Sequence, residues 1–253
     1  MPSMSVALVT GASSGIGLEL ARICVEDGHD TIIVANEPEI HDAASELGAQ
    51  AVEADLATRE GTQAVVAALG GQDVDLLFLN AGTGLGHTFL EQDLEGIERT
   101  VETNILGVLR LAHPLGRRMV ARGQGRILIT GSIAGFMPGP YQATYNASKA
   151  FLDNFSVGLA EELKDSGVTV TCLMPGLTDT KFFERAGMLD TPIGQAPKDD
   201  PAMVAAFGYG AMMKGTTQAT PTFKNKAQAV IAEFLPAELV AKLHTRMAKP
   251  KDE

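Results

Sequence analysis

The sequence predicts an α/β protein: a doubly wound parallel sheet with helices on both faces, in a single domain. Three observations carry that prediction. Short apolar runs rich in β-branched residues alternate with helical patterns from the first residues to Pro175. A glycine-rich turn, "TGASSGIG", joins the first apolar run to the first helical segment. The chain's 253 residues suffice for one large core. Strands that are apolar throughout, instead of alternating, signal a sheet buried on both faces, as parallel sheets are. Right-handed crossovers between parallel strands then wind the chain in both directions from the first strand.

The elements follow in order. "SVALVT" (5–10) is a buried strand, and a helix runs from about Gly15 to Asp27, stopped by Gly28. "TIIVA" (31–35) is the second strand, followed by a helix over 38–48 that ends at Gly48. "QAVEAD" (50–55) is the third, with a helix over 59–69 closed by Gly70 and Gly71. "VDLLFLN" (74–80) is the fourth, and a long helix spans about 94–121. "GRILITGS" (125–132) is the fifth, and a second long helix covers about 142–165. "GVTVTCLMP" (167–175) is the sixth. After Pro175 the alternation stops. Residues 176–200 read as a mobile loop with one short helix, and helical patterns return at 201–213, 225–234 and 236–247. With no repeat and no low-complexity linker, one nucleotide-binding domain over 1–253 is expected. It would carry a substrate-loop region at about 180–222 and a disordered tail at 249–253.

Composition narrows the function. The formal net charge of −11 argues against a nucleic-acid partner, since phosphate binding needs a basic face. No run approaches 18 uninterrupted apolar residues, so no membrane span is expected, and the N-terminus lacks the charged and apolar regions of a signal peptide. The two cysteines, Cys24 and Cys172, form no C-x-x-C or Cys/His cluster. They read as small buried hydrophobes in a reducing compartment, the cytoplasm, and no metal site is expected.

Candidate chemistry gathers at one edge of the sheet. Glycines 11, 15 and 17 lie between a strand and a helix, where backbone N–H groups and the helix dipole favour a phosphate. "NAG" (80–82) ends the fourth strand and Ser132 ends the fifth. Asn104 sits in mid-helix, where asparagine has poor propensity. Tyr145 and Lys149, in "YNASK", are one helical turn apart on one face. A cation beside a phenol favours the phenolate and lowers its pKa, which makes the pair a tuned proton donor and acceptor. Alone, a Y-x-x-x-K pair is usually two residues on a wet helix face. Here the glycine turn, Asn80, Ser132 and Pro175-Gly176 all fall at the carboxyl ends of strands, where open parallel sheets bind ligands.

The motifs "TGASSGIG", "NAG", "S…YNASK" and "PGLTDT", in this order and spacing, resemble the short-chain dehydrogenase/reductase superfamily in its compact, non-extended branch. The resemblance covers residues 5 to 180 and, more loosely, the remainder. It implies a Rossmann-type fold and hydride transfer between a nicotinamide and a ketone or secondary alcohol. It implies that Tyr145 is the acid/base and that Lys149 lowers the tyrosine pKa and holds the nicotinamide ribose. Ser132 would polarise the substrate carbonyl. Asn104 would distort its helix and hold a water of a proton relay. Gly11, Ser13, Ser14, Gly15, Ile16 and Gly17 would cradle the diphosphate. Asp55 and Leu56 would meet the adenine, and Asn80, Ala81 and Gly82 would line the cofactor cleft. Pro175, Gly176, Thr178 and Thr180 would border the nicotinamide and diphosphate.

The residue closing the second strand usually selects the cofactor: an acid there favours NAD, a nearby arginine NADP. Here it is Asn36, followed by Glu37, with no Arg or Lys close in sequence. NAD is therefore the expected cofactor, with NADP left open. Substrate contacts are expected from Ser132, Ala134, Met137, Tyr141, Gln142, Phe182 and Phe183, with Gly84, Gly86, His87, Pro138 and Met188 as further pocket candidates. These suit a hydrophobic ketone or alcohol. Four arginines in "RRMVARGQGR" (117–126) leave open the docking of an acyl carrier by a 3-oxoacyl-thioester reductase. A nucleotide-binding regulator of the same fold is the alternative outside enzymes. The family's long helices imply a homotetramer or homodimer, through apolar residues such as Leu106, Leu109, Phe151 and Phe155.

Overall fold

The computed structural model describes residues 5–250, the side chain of Glu233 excepted. The expectations for the first four residues and for the end of the tail lie outside the described residues. Seven parallel strands form one sheet in the order β3-β2-β1-β4-β5-β6-β7. They are β1 (Val6–Thr10), β2 (Asp30–Ala35), β3 (Gln50–Glu53), β4 (Leu76–Leu79), β5 (Gly125–Thr130), β6 (Val168–Leu173) and β7 (Gln218–Ala219). Alternate residues of one strand feed opposite faces. Ala7 and Val9 pack beneath α1 (Gly15–Glu26) and α2 (Glu39–Leu47), while Val6 and Leu8 join the cluster on the other face. That other face is covered by α3 (Arg59–Ala68), α4 (Leu94–Val101), α5 (Val108–Arg122) and α6 (Ala143–Leu163). Burial of each such Leu or Ile side chain contributes about 1.5–3 kcal/mol.

The chain runs outward from β1 to β3, then returns to lay β4 on the other side of β1. This reversal opens a crevice at the carboxyl ends of β1 and β4, the position at which doubly wound sheets bind ligands. Asn80 pins the crevice open. Its Nδ2 donates to Thr10 O at 3.1 Å, and its Oδ1 accepts from Thr130 Oγ1 at 3.1 Å, so one side chain ties the ends of β1, β4 and β5.

Three details depart from the sequence expectation. The two-residue β7 was not anticipated, because it is too short to show a pattern; its pairing with β6 supplies the order. The expected helix over 94–121 is α4 and α5 joined by a π-helical segment, Glu102–Gly107. There the helix presses on the chain below: a Cβ at Gly107 would stand 2.7 Å from the Leu56 carbonyl oxygen. The loop after β6 holds two short helices instead of one, α7 (Phe182–Arg185) and α8 (Pro192–Gln195). Beyond it, α9 (Pro201–Met213) packs on α1, and α10 (Phe223–Phe234) and α11 (Ala237–Ala248) complete the chain. No helix of the described residues is long and apolar enough to cross a membrane.

Candidate active site

One cleft of about 640 Å³ opens along the carboxyl edge of the sheet. Its cofactor end begins at the turn after β1. Gly11 and Gly15 have φ of +67° and +59°, a region that favours glycine. Ser14 precedes α1 with no side-chain capping bond, whereas Thr58, Thr191, Asp200 and Thr222 each cap their own helices. The first N–H groups of α1 are thus left for a ligand, which fits a diphosphate. Ser13, Ser14, Gly15, Ile16, Asn36, Asp55, Leu56, Asn80, Ala81 and Gly82 all line this cleft, as do Pro175, Gly176, Thr178 and Thr180. Gly17 does not line it. A Cβ there would stand 2.2 Å from the Gly11 carbonyl oxygen, so the packing of helix on turn requires glycine.

The reacting end is built from β5, α6 and the turn after β6. Ser132 follows β5; its Oγ accepts from Ala134 N at 3.1 Å and lies 3.4 Å from the Pro175 carbonyl. Tyr145 and Lys149 rise from the first half of α6, and Ser132, Tyr145 and Lys149 line the same cleft. Lys149 Nζ donates to Thr130 O at 2.8 Å and lies 5.8 Å from the centre of the Tyr145 ring. Asn104 stands behind them, fully buried in the π-helical segment. Its Oδ1 accepts from Thr83 N at 2.9 Å, and its Nδ2 donates to Thr83 O and to Ser148 Oγ at 2.9 Å. Ser148 in turn donates to the Tyr145 carbonyl at 2.7 Å. Asn104 is therefore a strut between the β4 loop and the helix that carries the tyrosine. A π-segment inside a helix frequently marks such a site.

Electrostatics correct one expectation. Lys149 is not the dominant influence on Tyr145 here. Burial pushes the phenol up to about 12, with the Ser132 hydroxyl pulling it down and Asp153 adding to the rise. Burial likewise draws the Lys149 ammonium down to about 8, against the charge of Asp153. Desolvation wins because both groups are walled in and the ammonium points at a carbonyl, not at the phenol oxygen.

The substrate end receives Ala134, Met137, Gln142, Phe182 and Phe183, as well as Gly84. The Phe182 ring stands 4.8 Å from that of Tyr145. Tyr141, held at φ +67°, packs instead with Phe183, Ala186 and Met188, and neither it nor Gly86, His87, Pro138 or Met188 lines the cleft. Several lining residues were missed in sequence: Arg99, Arg185, Ile193, Asn225, His244 and Met247. They come from α4 and from the region after Pro175, and no motif marks them. Three of the four arginines in 117–126 are engaged elsewhere. Arg118 pairs with Asp73, Arg122 with Asp75, and Arg126 donates to Met212 O. Arg126 lies near the start of β5, at the opposite edge of the sheet from Ser132.

Comparison with known proteins agrees with this fold. The short chain dehydrogenase family model matches residues 5–190. The chain is 34% identical over 203 residues to the very-long-chain 3-oxoacyl-CoA reductase of Pyricularia oryzae, covering 74% of this chain and 61% of that protein. The match thus spans less than two thirds of that relative's length. Among solved structures it resembles a short-chain dehydrogenase from Sphingobium yanoikuyae in complex with NADPH (29% identity, TM-score 0.81, covering 92% of this chain and 98% of that one). It also resembles the 3-ketoacyl-(acyl-carrier-protein) reductase of Brucella melitensis complexed with NADH (28% identity, TM-score 0.74, covering 85% and 96%).

Proposed function

The chain belongs to the short-chain dehydrogenase family, and on that footing we propose that it is a nicotinamide-dependent oxidoreductase acting on a hydrophobic ketone or secondary alcohol. One observation carries the reading: Ser132, Tyr145 and Lys149 line the same cleft as the glycine turn. A bound nicotinamide supplies or accepts the hydride. The chain's residues do the rest. Ser132 Oγ donates to the substrate oxygen and fixes the carbonyl. Tyr145 delivers its phenolic proton to that oxygen as negative charge develops, and takes it back in the alcohol-oxidising direction. Lys149 holds the ribose hydroxyls and supplies the positive charge beside the phenol. Asn104 keeps the helix of Tyr145 in place and its segment holds the relay water. Phe182, its ring tilted at 47° against that of Tyr145, shields the proton transfer from water.

NAD is the preferred cofactor in this reading, because Glu37 sets a carboxylate at the end of β2, where a 2′-phosphate would be repelled. The apolar wall of Met137, Phe182, Phe183, Ile193 and Met247 supports a hydrophobic substrate. The two buried free cysteines support a reducing compartment such as the cytoplasm. The protein works as a homodimer or homotetramer through α5 and α6, where Val120 on the first and Phe151 and Val157 on the second are exposed although large and apolar. A panel of ketones and alcohols, incubated separately with NAD(H) and NADP(H) and followed by nicotinamide absorbance, tests the reading. Turnover with an apolar ketone is expected; no change with any pair would reject it.

A further inference from the structure

Asp153 lies on α6 one turn beyond Lys149 and two beyond Tyr145, and nothing in the reaction outlined above uses it. It is only 5% exposed. Its Oδ1 accepts the Ser132 N–H at 3.2 Å and the Cys172 thiol at 3.4 Å. Its Oδ2 is buried and accepts from no group of the described residues. Two glycines make room for it. A Cβ at Gly131 would stand 1.8 Å from Oδ1, and one at Gly135 would stand 2.1 Å from Oδ2. Neither glycine has a positive φ, so both are required by space and not by conformation.

A carboxylate held this way is a burden on stability, because burial removes it from bulk solvent and one oxygen has no protein donor in return. Burial raises it to about 6, which leaves it ionised at neutral pH. The titratable groups that face it are Lys149 and Tyr145 on its own helix and Cys172 from β6, while the turn at 131–135 offers backbone and Ser132. Lys149 is the one cation among them. No contact ion pair joins the two among the described residues, and the lysine's described hydrogen bond goes to Thr130 O, a neutral acceptor. The buried ammonium therefore depends on a charge one turn away.

We propose that Asp153 is a positioning residue of this site: the buried counter-ion that keeps Lys149 protonated, and the acceptor that fixes the Ser132 peptide at the end of β5. It acts on the substrate only through those two residues. The assignment rests on the proposed oxidoreductase reading for its effect on rate, but its electrostatic half stands apart from any substrate.

Asp153→Asn separates the two halves, since the amide oxygen can still accept the Ser132 N–H while the charge is gone. The first readout is the Lys149 ¹³Cε shift against pH, assigned with Lys149→Met. The wild-type midpoint is expected near 8, and that of Asp153→Asn about one unit lower, the smaller end of what a neighbouring charge does. The second readout is kcat for ketone reduction, a direction that starts from protonated Tyr145, which burial keeps protonated over this pH range. Its alkaline fall should move down by the same unit, which makes kcat about fivefold lower at pH 8 and about tenfold lower well above it, with the KM for ketone little changed. Asp153→Leu, which also removes the acceptor, should lower kcat at every pH. Superimposable Lys149 titrations overturn the proposal, as does a shifted titration with an unmoved kcat profile. If no substrate turns over, the oxidoreductase reading fails, and the lysine titration still decides the counter-ion. If Asp153→Asn does not fold, the wild-type titration decides. A second, smaller step in the Lys149 signal near pH 6 reports the counter-ion, and a single-step curve rejects it.

Discussion

Arg185 Nη2 lies 2.8 Å from Glu37 Oε1, while Glu37 Oε2 accepts from Ser13 Oγ at 2.8 Å. The pair joins α7, in the loop after β6, to the end of β2, across the cofactor end of the cleft. It also brings an arginine to the place where the sequence offered none. As a partly exposed ion pair it contributes little to stability, on the order of 0–1 kcal/mol. Its weight falls on selectivity. Glu37→Gln releases Arg185 to meet a 2′-phosphate and removes the charge that repels one. The ratio of kcat/KM for NADP over NAD should rise by about tenfold or more. Asn36→Asp should move the ratio the other way. Steady-state kinetics with both cofactors checks this, and unchanged ratios in both variants would show that another residue reads the ribose.

Tyr145→Phe keeps the ring packed against Phe182 and removes the phenolic proton. Turnover should fall by about 10² to 10⁴-fold. Binding of NADH, read by fluorescence, should be unaffected. Near-full activity in this variant would remove Tyr145 from the mechanism.

Lys149→Met should lower both turnover and cofactor affinity, because the lysine serves two purposes. The pH dependence of the parent enzyme follows from the direction of its shift. An ammonium drawn down to about 8 is charged below that pH and neutral above it. Ketone reduction should therefore hold steady below about 8 and decline above it. In Lys149→Met that decline should be missing, and its persistence would assign it to another group.

The segment over α7 and α8 should gain protection from hydrogen exchange when cofactor and substrate bind. Phe182 already touches Tyr145, and Thr180 lies over the glycine turn, where a Cβ at Gly15 would stand 2.7 Å from its Cγ2. A ligand between these surfaces bridges them. Exchange that is equal with and without ligands would rule out closure of this segment.

Gly17→Ala should destabilise the fold by about 2 kcal/mol or more, since the new Cβ meets a backbone carbonyl that cannot swing away. Thermal melting checks this. An unchanged melting temperature would show that turn and helix can part without cost.

Self-association is expected through α5 and α6. Sedimentation at micromolar concentration should give a multiple of the 26.6 kDa chain mass. A species at the chain mass would count against the dimer or tetramer.

The sequence by itself determined what depends on local pattern. Apolar runs such as "TIIVA" and "LLFL" announced strands buried on both faces, because the hydrophobic effect acts on every residue of such a run. The turn "TGASSGIG", Ser132 and the Tyr145–Lys149 pair were legible because each is defined by neighbours a few residues away. The tertiary structure alone decided what depends on residues distant in the chain. Arg185 reaches Glu37 across 148 positions of sequence, and His244 and Met247 return from α11 to line the cleft. Gly17 proved to serve packing, and β7 exists only by pairing with β6. The pKa of Tyr145 belongs to the same class. A lysine one turn away promised a lowered phenol, but desolvation depends on everything that surrounds the site, and sequence spacing records only one neighbour.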